Sequence, residues 1–92
     1  MEYASFPGGD LIERGIADLA CGVRSAQALL VAIGEPRLRE LGVEVPAHSH
    51  AAPEHALYDL IAETAGDGAH SQYNALIRRL VSFERALACA AQ

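Results

Sequence analysis

The C-terminal stretch of this 92-residue chain carries the pattern that most restricts its fold. Ala69, Tyr73, Leu76, Leu80, Phe83, Leu87 and Ala90 recur at spacings of four and three without interruption. Apolar residues in that rhythm share one face of an α-helix over about three heptads. Ile77 and Val81 widen the face, so the predicted helix meets more than one neighbour. A helix from Ala69 to Ala90 is roughly 33 Å long at 1.5 Å per residue. The rest of the chain has to cover it.

The preceding segments are also helical in period. Asp10 followed by Glu13 has the form of a capping box after the Pro7-Gly8-Gly9 breaker. Ile12, Ile16, Leu19 and Val23 then line one face of a helix from about Leu11 to Cys21, with Gly22 as its stop. Ser25 is the next N-cap. It opens Ala26 to Ile33, a run apolar nearly all the way round, which a helix tolerates only when buried on several sides or covered by a partner. Gly34 is expected to end that helix, and Pro36 to start a short turn through Leu41 with Leu38 and Leu41 facing inward. Val43 to Pro46 reads as an extended linker, since it is short and has no second strand to pair with. Pro53 suits the first turn of a third helix, with Leu57, Leu60, Ile61 and Thr64 inside and Gly66 at its end. Asp67 is the expected N-cap of the last helix.

The expectation is an all-α fold: a compact antiparallel four-helix arrangement with one short extra helical turn at about 36–41 and a long C-terminal helix. It forms one domain over 1–92, with an N-terminal tail at 1–9 and a loop at 46–52. Tyr3 and Phe6 in the tail are expected to dock on the bundle.

Composition removes several classes of function. Apolar residues make up 51% of the chain, yet no apolar run nears the roughly 18 residues that span a bilayer. Seven arginines, with no lysine, stand against twelve acidic residues, and the net charge of −5 disfavours nucleic acid as the partner. The N-terminus has neither a basic region nor a long apolar run, so the expected location is the cytoplasm, with reduced thiols. Cys21 and Cys89 are too few and too far apart for a disulfide framework or a zinc motif, and they read as small buried groups at helix ends. No cofactor is expected, for the chain has no glycine-rich phosphate loop and no nucleophile elbow.

Three functional readings follow. The first is a protein–protein interaction module without catalytic activity, either self-associating as a homodimer or acting as an adaptor to a larger partner. Its contact residues would be Leu29, Leu30 and Ile33 on the second helix and Ile77 and Val81 on the last, with Arg78, Arg79 and Arg85 as a charged ridge beside them. The second is a small regulator, of antitoxin type, that contacts nucleic acid through that arginine ridge. The third is a metal-binding or hydrolytic protein built on His48, His50, His55 and Asp59, which hold the nitrogen and carboxylate groups a divalent ion needs. Glu54, Asp59 and Glu63 form an acidic strip on the third helix, which the arginine ridge is expected to neutralise.

Overall fold

The computed structural model describes residues 3–90. Its elements in chain order are α1 (Gly9–Ala20), α2 (Ala26–Glu40), α3 (Pro53–Ala65), a 3-10 turn (Gly66–Gly68) and α4 (Ala69–Ala90). The all-α expectation holds, with no strand among the described residues. The count differs in one respect: α3, the turn and α4 follow one another without a non-helical residue, so the described residues form three separate helical bodies. No helix of the described residues is long and apolar enough to cross a membrane.

The all-round apolar run lies at the centre. α2 packs against α1, α3 and α4, and it buries Ala28, Leu29, Leu30, Val31, Ala32, Gly34 and Leu38. Its start is as expected: the Ser25 hydroxyl accepts from the Ala28 N–H at 3.1 Å and also donates to Asp18 at 2.5 Å, joining the cap to α1. Its end is not. Gly34 does not stop the helix, and the separate turn expected at 36–41 is the last part of α2, which runs through Pro36 to Glu40.

Packing explains why. A methyl group on Gly34 would stand 2.8 Å from Leu80 Cδ1, so the glycine is there to let α2 and α4 approach. Tertiary contact on that side offsets the amide hydrogen bond that Pro36 cannot make. The true terminus is Gly42, at φ 89°. The Gly42 N–H bonds the Arg39 carbonyl at 3.1 Å and the Val43 N–H bonds Leu38 at 2.9 Å, the paired bonds of a Schellman cap. Val43 and Leu38 are both buried there.

α1 and α2 are antiparallel and closer still. A methyl group on Gly15 would lie 2.3 Å from the Gln27 carbonyl oxygen and 2.5 Å from Val31 Cγ2. α1 begins at Gly9 with Gly8 as N-cap, and the expected capping box between Asp10 and Glu13 does not form. Glu13 instead accepts from the Tyr3 N–H, and from Ala4 at 3.1 Å. That carboxylate holds the tail down, and Tyr3 and Phe6 meet Phe83 edge to face, with ring centroids 5.4 and 6.1 Å apart. The tail docks as the sequence leads one to expect.

Three further residues depart from expectation. Val23 follows the α1 terminus, outside the helical face that its spacing suggested, and is 48% exposed. Cys21 and Cys89 are exposed rather than buried. The first caps α1 at the surface and the second lies in the last turn of α4, beyond the core. Asp67 falls within the 3-10 turn rather than at a cap immediately before α4.

Candidate functional site

The residues proposed as a contact face divide between the interior and the surface. Leu29 and Leu30 are 0% and 1% exposed, within the core of the single chain, and no partner can reach them in this fold. Ile33, Ile77 and Val81 are half-buried, and Ile33 and Ile77 pack against the core. The apolar surplus of the second helix is therefore consumed by α1, α3 and α4.

Arg78, Arg79 and Arg85 are all exposed on α4. Arg79 reaches Asp10 of α1 at 3.5 Å, a long contact between two exposed groups. The ridge does not neutralise the acidic strip of α3: among the described residues Glu54, Asp59 and Glu63 take part in no ion pair.

The histidine cluster separates into two places. His48 and His50 lie beside the end of α1, sharing a small pocket with Leu19 and Val23, while His55 and Asp59 are on α3 and line a different groove. Among the described residues no three His, Cys, Asp or Glu side chains come together as a metal-binding group. The four residues near in sequence diverge because Pro53 starts α3 and turns the chain away from the loop.

His48 has a definite structural partner. Its Nε2 lies 2.8 Å from Glu35 Oε1, and its Nδ1 accepts the His50 amide at 3.2 Å. The neutral tautomer with a proton on Nε2 satisfies both contacts. The His50 ring stacks on it with centroids 5.4 Å apart. Glu35 also takes Arg39 at 2.7 Å, and the same guanidinium donates to the Val45 carbonyl at 2.8 Å. Hydrogen bonds from Arg39 and then His48 hold the Glu35 carboxyl below its ordinary range. This network clasps the segment after α2 back onto α2.

Glu84 of α4 behaves in the opposite sense. Its partial burial raises the carboxyl above the ordinary range, while Arg37 opposes the shift. Its Oε2 lies beside Gly34, where a methyl group would come within 3.3 Å.

Two further open grooves remain. One of about 370 Å³ lies where the tail meets α1, lined by Tyr3, Glu13, Ile16 and Ala17. The other, of about 280 Å³, lies between α3 and α4, lined by Glu54, His55, Tyr58, Asp59 and Tyr73, and is the more polar of the two in its side chains. On α3, Glu54 and Tyr58 are one turn apart, as are His55 and Asp59, so two adjacent rows face the groove. Tyr73 supplies the opposite wall from α4. Its ring centroid is 5.8 Å from that of Tyr58 at a tilt of 55°. Tyr58 is 39% exposed, and it shares with Val23 the distinction of being a large apolar residue left open to solvent among the described residues.

Sequence reasoning passed over Tyr58 and placed Tyr73 in the helical seam alone. The available signal was positional. Tyr58 lies eight residues before the Gly66–Gly68 turn and Tyr73 five after it, so folding α3 against α4 brings the two rings within reach of each other. No known protein family, curated protein or solved structure matches the chain.

Proposed function

We propose that this protein is an interaction module that binds another protein through the outer face of α3 and α4, with no catalytic step of its own. The observation that carries the reading is the α3–α4 groove: Tyr58 stands exposed in it, and no side chain among the described residues fills it. Exposed aromatic rings beside polar groups are the composition of contact surfaces, where a ring supplies area at small entropic cost.

The geometry favours a different protein over a second copy. The case for self-association came from the apolar excess of the second helix and the broad face of the last. The excess is packed inside, and Ile77 and Val81 of the broad face are half-buried. A standard interface buries about 800 Å² on each partner around an apolar centre. Tyr58 and Val23 alone do not make such a centre.

The test combines oligomeric state with capture. Light scattering at micromolar concentration is expected to give the mass of one chain. Cross-linking of the full chain in its native extract is expected to yield one stoichiometric partner that the Tyr58→Ala variant no longer captures. A stable dimer, or a partner retained equally by Tyr58→Ala, overturns the reading.

A further inference from the structure

The α3–α4 groove carries a charge that the chain itself does not balance. Three carboxylates elsewhere hold ion-pair partners: Glu35 with Arg39, Glu40 with Arg37 and Asp10 with Arg79. Glu44, Glu63, Asp67 and Glu84 stand without one among the described residues, but away from any open ring pair. Glu54 and Asp59 have no ion-pair partner among the described residues, yet they flank the one place where two tyrosine rings meet in the open. A carboxylate attracts a cation, and so does the face of an aromatic ring. An apolar occupant would strip water from the carboxylates without replacing it, and an acidic one would be repelled.

We propose that the groove receives an arginine side chain from a basic segment of the partner protein. The guanidinium plane lies against Tyr58, and its N–H donors reach Asp59 and Glu54. Arginine suits the site better than lysine. Its planar group stacks on a ring, and its fork of five donors serves two carboxylates at once. The net charge of −5 acts in the same direction: it draws a basic segment by long-range attraction and holds off a second copy of this chain. This assignment rests on the α3–α4 face being the partner-binding surface.

The test follows amide chemical shifts of the isotope-labelled full chain during titration with a short capped peptide of alternating glycine and arginine. Saturable shifts centred on Glu54, His55, Tyr58, Asp59 and Tyr73 are expected. Asp59→Asn and Tyr58→Ala are each expected to weaken binding by roughly tenfold, the loss of one charge-assisted or cation–ring contact. The same peptide with citrulline in place of arginine should leave the spectrum unchanged. Absence of shifts, shifts elsewhere on the molecule, or equal binding of the citrulline or lysine peptide each overturns the assignment. Where the arginine peptide fails and cross-linking still finds a partner lost in Tyr58→Ala, the arginine assignment falls and the interaction module stands.

Discussion

α2 and α3 are nearly equal in length, 15 and 13 residues, and they lie side by side, but they use their side chains in opposite ways. α2 buries seven residues, three of them small: Ala28 and Ala32, which flank Leu29, Leu30 and Val31, and Gly34 against α4. α3 buries only Leu57 and Ile61 and leaves a tyrosine, a histidine and three carboxylates facing outward. The difference follows from the number of neighbours. α2 is enclosed by three helices, so an apolar surface all round it is satisfied within one chain. α3 packs against two, α2 and α4, and its exposed residues are available to something else. An apolar helix is thus a poor marker of association here, and the half-polar helix carries the open surface.

The comparison breaks first at its core. Phe83→Ala removes the ring that Tyr3 and Phe6 both meet, at a position 0% exposed. A loss of about 4 kcal/mol in urea unfolding is expected, together with release of the tail. Gly15→Val comes next. It forces α1 away from α2 at the Gln27 carbonyl, and a cost of about 3 kcal/mol is expected, read by the shift of the unfolding midpoint. Little change in either variant would mean that α2 is not as tightly enclosed as its contacts indicate.

Smaller effects concern the two shifted carboxyls. Glu35→Gln weakens the clasp to His48 and Arg39, and about 1 kcal/mol is expected near neutral pH. The Glu35 carboxyl is lowered in the fold, so its contribution is full above the ordinary carboxylate range and fades as pH falls through the folded value. The gap between wild type and Glu35→Gln should therefore close in acid. Glu84 has the reverse sign. Its carboxyl is raised in the fold, so its contribution is full below the ordinary range and is lost as pH rises through the folded value. Glu84→Gln is expected to gain stability relative to wild type at neutral pH, and parallel unfolding curves across pH for both variants check the two signs together.

The smallest expected effect sharpens the contrast most. Tyr58→Ala should change stability by less than about 0.5 kcal/mol, because the residue is exposed and outside the core. A thermal midpoint close to that of wild type, with loss of arginine-peptide binding, separates the outer surface of α3 from the interior of α2. A large destabilisation would show the tyrosine to be structural.

Much of the fold was legible because helical period depends on local geometry. The seam from Ala69 through Phe83 needs nothing beyond the spacing of its side chains. The cap at Ser25 and the stop at Gly22 are likewise local, and both are in place. The site was less legible. Glu54 and Asp59 were visible as an acidic strip, but Tyr58 gains meaning only from the ring of Tyr73 beside it. His48, His50, His55 and Asp59 looked like one cluster because sequence distance was the only distance available.

The sequence by itself determined the helical class, the long last helix and an overall acidic charge. Those follow from side-chain period, turn residues and summed charge, all of which operate within a few residues or over the whole chain. Tertiary structure alone decided that Gly34 and Pro36 lie within a helix. It also decided that Leu29 and Leu30 belong to the core, and that Tyr58 and Tyr73 share a groove with unpaired carboxylates. Each of those depends on which surfaces meet across long stretches of chain. A glycine that could end a helix instead allows two helices to touch, and only the packed neighbour selects between the two.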